Sequence, residues 1–338
     1  MNLKLFFFAI TSYFFCGLQA AQDKFLLRTN ASKESTSLPV QALQQKYPQA
    51  DNKLTKLAPK NIKLKTKKGI KFDAHFYDHG RDQIIILGQG FTGNKKSMDY
   101  FVKGFGDSYD MITFDYRWKD LGWYCLNPKT FINPLHQLLH AELDEVKAVV
   151  DFVKKRKKYK EVICLGLCYS SFLFLMAQAD AEKKGSSLFT KMIIDSCWYS
   201  LDRFLDSISK DPMLPARPQA GGTPEVVKTL LHHSPFYRLC FYSAKKCVPK
   251  ICIKKYVSKV SKPPILFVHG SDDKLVSMKD FDQIWSSCPA QKVGFITPYQ
   301  HADNFLNEEL YTLLCNLFIQ SRGIDEFIGR CLSPDQVH

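Results

Sequence analysis

Three residues whose side chains can do acyl chemistry together each follow their own short apolar run: Cys168 after VICLGL, Asp273 after PILFVHGSD and His301 after VGFITPYQ. A cysteine nucleophile needs a base within hydrogen-bond reach, and the base needs an acid to fix its tautomer. Beside an imidazole and at the start of a helix, a thiol favours the imidazolium-paired thiolate, which is the reactive form. Attack by that sulfur on an ester, thioester or lactone gives a thioacyl-enzyme, and the imidazole then activates water for deacylation. A dry pocket would instead pass the acyl group to another acceptor. Singly, each residue has a plainer explanation. A cysteine behind an apolar run is commonly a core residue, and a histidine in a loop is commonly a surface one. Placement sets these three apart: each stands past the carboxyl end of its own predicted strand, where ligands of parallel sheets bind.

The elements that must hold them are read outward from the cysteine. Residues 162–173, VICLGLCYSSFL, join a β-branched apolar run, a tight turn and an apolar segment of helical character. Gly166 and Ser170, two places before and two after Cys168, are small enough for strand and helix to close on each other. Were Ser170 the nucleophile, the ring of Phe172 would fall in the second tight place and meet the strand. GLCYSS resembles the nucleophile elbow of the α/β-hydrolase superfamily, with cysteine in the usual serine place as in dienelactone hydrolases, and with serine at 170 where glycine is usual.

The resemblance extends to other motifs and covers about residues 61–322. Gln89-Gly90-Phe91-Thr92-Gly93 is similar to the HGxxG turn of that superfamily, with glutamine for histidine. It implies an oxyanion hole made by the backbone N–H groups of Phe91 and Tyr169. Asp115-Tyr116-Arg117 resembles the DxRG turn of monoacylglycerol lipases and related esterases, with Trp118 in place of glycine and a structural role. In that superfamily nucleophile, acid and base follow in this chain order, with the acid usually three places after a glycine and the base just past the final strand, so the resemblance implies Asp273 rather than Asp272, and His301; Asp195, at the end of KMIID, stands where a few members carry the acid and is the alternative.

The fold the resemblance implies is the α/β-hydrolase fold, a mostly parallel sheet flanked by helices with a cap inserted after the sixth strand. The sequence pattern agrees. NIKLK and IKFDAHFY alternate around Lys68-Gly69 as a hairpin does. QIIIL, MITFDY, VICLGL, KMIIDS, PILFVH and VGFIT read as buried strands, and apolar residues at helical spacing from Leu135 to Val153 form an amphipathic helix. Such alternation predicts a parallel sheet with right-handed crossovers. The organisation expected is a signal peptide over 1–20, a loosely ordered arm over 21–60, hydrolase core over 61–200 and 263–322, a cap over 201–262 and a tail over 323–338. In the cap, Phe204, Phe236, Tyr237, Phe241 and Tyr242, with Trp198 before it, offer aromatic pocket walls or simply a core.

Composition bounds the rest. With 338 residues, 45% hydrophobic and 24% charged, the chain affords one large domain. MNLK, a phenylalanine-rich apolar stretch and Ala20-Ala21 make a cleavable export signal, with a periplasmic or secreted product; an uncleaved membrane anchor is the alternative. Export would let cysteines pair, and Cys240, Cys247 and Cys252 cluster in one segment. Their spacing lacks a zinc-site pattern, so no metal and no cofactor is expected. The net charge of +14 comes from lysine clusters that read first as a solvated face and second as a weak attraction to anionic surfaces. The partner expected is a small acyl substrate, and no nucleic-acid module is present to suggest otherwise.

Overall fold

The computed structural model describes residues 25–29, 35–47, 58–90, 93–116, 134–210, 251–301, 303–304 and 307–332. Six buried runs form the parallel centre of a ten-stranded sheet: β5 (Gln83–Gly88), β6 (Asp110–Phe114), β7 (Glu161–Leu167), β8 (Lys191–Asp195), β9 (Ile265–Gly270) and β10 (Lys292–Thr297). β3 (Lys60–Lys65) and β4 (Lys71–Tyr77) make the expected hairpin, antiparallel to β6. With β1 (Leu26–Thr29) and β2 (Ser35–Ser37) at one edge, the order is β2-β1-β10-β9-β8-β7-β5-β6-β4-β3. The chain steps from β5 to β6 on one side and returns to β7 on the other, so a switch point opens between the carboxyl ends of β5 and β7. The central strands carry side chains into two cores, one on each face, which is why they read as unbroken apolar runs.

Helices cover both faces. α1 (Val40–Lys46), α2 (Asp99–Phe105), α3 (Pro134–Lys155), α4 (Tyr169–Glu182), α5 (Leu201–Lys210), α6 (Lys254–Val257), α7 (Met278–Ser287), α8 (Glu308–Gln320) and α9 (Ile324–Leu332) follow in chain order. Side chains of α3 and α4 join the core on one face, and those of α2, α8 and α9 the core on the other. The cap segment leaves after β8, the sixth strand counted from β3, and is anchored where Ser200 bridges to Cys252. Residues 211–250, with four of the cap aromatics and Cys240 and Cys247, lie outside the described residues, as do the signal segment, Arg117 and Trp118.

Two expectations are corrected. The arm is not loosely ordered throughout: β1 (Leu26–Thr29) pairs antiparallel with β10, and β2 (Ser35–Ser37) pairs with β1. Phe25, Leu27, Leu38 and Leu43 are buried, and these few apolar groups are enough to dock a polar stretch on a sheet edge. The tail likewise begins with α9, which buries Phe327 and Cys331. As for the cysteine cluster, Cys252 is a free thiol.

The feature that positions the site is the closeness of α4 to the strands beneath it. A Cβ built on Gly166 would lie 2.7 Å from the backbone nitrogen of Ser171, so only glycine fits. Gly88 is the counterpart on β5: a Cβ there would sit 2.5 Å from the Cβ of Ser170. Serine at 170 is thus accommodated by glycine at 88, and its hydroxyl is put to use. It donates to the carbonyl of Gln89 and lies 2.8 Å from the Tyr116 hydroxyl, tying helix, glycine turn and β6 exit together. Gly88→Ala should cost about 1–3 kcal/mol through overpacking. Adding Ser170→Gly should recover part of that loss, but not all, because the new methyl also meets Phe174; chemical denaturation of the two variants measures it.

Candidate active site

Cys168 stands between β7 and α4 with φ +53° and ψ −104°, a left-handed backbone that side chains rarely adopt. The turn is held by its neighbours: the Cys168 N–H donates to the carbonyl of Asp195 at 2.8 Å, and the Ser171 hydroxyl donates to Gly166 O at 2.5 Å and Asp195 O at 2.9 Å. Strain at this residue lifts Sγ off the strand and places it at the N-terminus of α4, where the first N–H groups have no partner within the helix and the dipole favours negative charge. Tyr169 opens that helix, with its phenol donating to Glu142.

The loops after β9 and β10 converge on the sulfur. His301 Nε2 is 2.9 Å from Cys168 Sγ, and His301 Nδ1 is 2.7 Å from Asp273 Oδ2. The other oxygen of Asp273 accepts the backbone N–H groups of Leu275 and Val276, both at 2.8 Å. Those two bonds aim the carboxylate at the ring. Asp272, by contrast, is exposed. Burial works against charge on His301, but the Asp273 carboxylate and the Cys168 sulfur outweigh it and hold the imidazole well above the ordinary histidine range. The two cysteines flanking the elbow lack such a partner: burial pushes the thiols of Cys164 and Cys197 far up, so they stay protonated.

A structural comparison gives this arrangement its context. The esterase Pf2001 of Pyrococcus furiosus is similar with a TM-score of 0.56 and 16% identity, over 78% of this chain and 89% of that one. The esterase EaEST of Exiguobacterium antarcticum gives 0.53 and 14%, over 78% of this chain and 100% of that one. DcsB, solved in complex with its substrate analogue, gives 0.53 and 16%, over 82% and 100%. The chain has the α/β-hydrolase fold. No model of a known protein family matches the sequence, and no curated protein does.

Within the α/β-hydrolase fold, the structure brings together Cys168, His301 and Asp273, with Tyr169, Gly166 and Ser170 at the elbow. Phe91 lies outside the described residues, so the second oxyanion donor is not seen. Asp195 does not reach the base. Its Oδ1 accepts from Asn304 Nδ2 at 2.6 Å and lies 2.8 Å from the Ser196 hydroxyl, while Oδ2 accepts from the Tyr311 hydroxyl at 3.1 Å. Asn304 in turn is bonded to the Thr297 hydroxyl. Asp195 is therefore a clasp that joins the end of β8 to the histidine loop and to α8. Sequence reasoning found the carboxylate but not this role. Asn304, three residues past His301, and Tyr311, at helical spacing on α8, were the only signals for it.

Burial pushes Asp195 up to about 6, against the pull of Ser196, Asn304 and Tyr311. A folded-state value raised in this way stabilises fully below about pH 4, the range of an unfolded aspartate, and that stabilisation is lost as pH rises toward the folded value. Asp195→Asn keeps the shape and removes the charge, so its stability relative to the parent protein should improve by about 2 kcal/mol between pH 4 and pH 7. Asp195→Ala leaves Tyr311 without its acceptor and Asn304 with only the Ser196 hydroxyl at 3.3 Å, and should lose about 1–3 kcal/mol for the orphaned phenol. Urea melts at the two pH values check both.

Proposed function

We propose that this protein is a hydrolase of acyl esters or thioesters that works through Cys168, His301 and Asp273 and a thioacyl intermediate. The observation that carries the reading is the unbroken line of contacts from Asp273 through His301 to Cys168, at 2.7 and 2.9 Å. The strained elbow and the helix N-terminus under the sulfur support it. So does the fold shared with solved esterases. An intact relay at these distances also favours catalysis over a degenerate fold kept only for binding.

The steps follow from the groups present. The Sγ thiolate adds to the acyl carbon, and the carbonyl electron pair moves to an oxyanion held by the Tyr169 N–H and, by the sequence resemblance, that of Phe91. His301, as imidazolium, donates its Nε2 proton to the departing oxygen or sulfur as the bond to the acyl carbon breaks. Alcohol or thiol leaves, and the acyl group remains on Sγ. Neutral His301 then takes a proton from water as the water oxygen attacks the thioester; collapse expels Sγ and releases the acid, restoring the ion pair. Asp273 holds the ring in one tautomer throughout.

Cys168→Ala should lower kcat/KM for nitrophenyl esters and acyl thioesters by about a thousandfold or more, the scale seen when a triad member is removed. Intact-mass measurement after mixing with a fast acyl donor should find one acyl group on Cys168 of the parent protein. A parent protein that takes up no acyl group across a range of chain lengths sinks the proposal.

The raised His301 value sets the pH behaviour. The imidazolium is the form that supports leaving-group departure, so kcat/KM should persist well alkaline of the ordinary histidine range and fall only as His301 loses its proton. Asp273→Asn removes a charge that raises His301, and the alkaline limb should move to lower pH. A limb that stays in place would mean another group governs it.

A further inference from the structure

Sγ of Cys168 has a second neighbour besides His301. The indole Nε1 of Trp198 donates to it at 2.8 Å. Trp198 is 1% exposed, and its ring leans on Tyr169 and Phe172 of α4 at centroid distances of 5.1 and 6.3 Å. Its backbone is fixed by the turn after β8, where Ser196 takes a positive φ of +50° and donates its N–H to Val268 O at 2.9 Å. The indole is thus built into the floor of the elbow.

An indole N–H can only donate. The sulfur must therefore accept, and hydrogen bonds to an ionised acceptor are roughly twice as strong as those to a neutral one. The contact strengthens as negative charge gathers on Sγ, and it is lost in value once Sγ is acylated, since a thioester sulfur is a poor acceptor. The remaining groups around the sulfur do not compete. The Cys197 thiol is pushed up by burial, and the Tyr169 phenol by burial and by Glu142, so both stay neutral. Asp273 faces His301, and Asp195 is held by Asn304, Ser196 and Tyr311.

A donor to Sγ also acts on the tetrahedral intermediate, which either expels the leaving group or returns Sγ. Stabilising the departing sulfur speeds the return. Forward reaction then requires a leaving group that departs as easily. We propose that Trp198 is a second donor to the nucleophile, and that it narrows the acyl donors to thioesters and aryl esters in preference to alkyl esters. This rests on Cys168 being the nucleophile, as proposed above.

Trp198→Phe keeps an aromatic ring and removes the donor. Iodoacetamide labelling of Cys168 at pH 6 should slow about tenfold in this variant, the scale of one hydrogen bond to a charged group. Equal rates at pH 6 overturn the donor role. Labelling needs no turnover, so this result stands apart from the hydrolase reading, which fails instead if the parent protein labels readily yet cleaves no acyl donor. If Trp198→Phe does not fold, the indole N–H resonances of the parent protein carry the test. One of the four tryptophans should shift with pH in parallel with labelling and stop shifting in Cys168→Ala; no such resonance overturns the role. For the folded variant, the ratio of kcat/KM for a thioester over the matching alkyl ester should fall about tenfold, again the scale of the lost bond. An unchanged ratio overturns the substrate preference.

Discussion

The site depends on one close approach, that of helix α4 to strands β5 and β7. Cys168 can hold a left-handed backbone only because everything beside it is small or hydrogen-bonded. Gly166 lets the helix backbone sit against the strand, Gly88 makes room for Ser170, and the Ser171 hydroxyl joins the carbonyls of Gly166 and Asp195. Strain at a functional residue persists when its surroundings over-determine it. Here the same contacts that impose the strain also fix where the sulfur points, so the geometry of the nucleophile is a property of the core and not of a loop.

Environment assigns the two buried aspartates their parts. Asp273 receives two backbone N–H groups on one oxygen and an imidazole on the other, a surrounding that fixes its direction toward the base. Asp195 sits deeper, bonded to an amide and two hydroxyls, and burial holds its proton more tightly. One carboxylate steers a base; the other clips three elements together beneath it. Asp195 closes β8 and Asp273 lies three places past the end of β9, and their residue type alone does not separate them.

Much of this was legible in the chain because it rests on local pattern. The β-branched runs gave the parallel strands, and the spacing of Gly166, Cys168 and Ser170 gave the elbow, since a tight turn admits few side chains. The position of His301 past the last strand was legible for the same reason. What could not be read came from long-range pairing. The departure from glycine at 170 made sense only with Gly88 beside it, far off in sequence. The arm looked too polar to order, yet Phe25 and Leu27 found a sheet edge and a core to cover. The indole of Trp198 reads as one more apolar residue until its nitrogen is seen against sulfur. Residues 95–105, a 3₁₀ turn running into α2, carry no strong period and went unassigned.

The pairing of β1 with β10 ties the order of assembly to the site. Leu26 lies opposite Ile296, so the hairpin of β1 and β2 cannot join the main sheet until β10 has been made. Contacts of such sequence separation form late, because loop closure is costly. Until then β10, whose end carries the histidine loop, presents an open edge to any other extended peptide. The strand that delivers the base is thus the one whose edge β1 covers, and the arm guards it against pairing with another extended peptide.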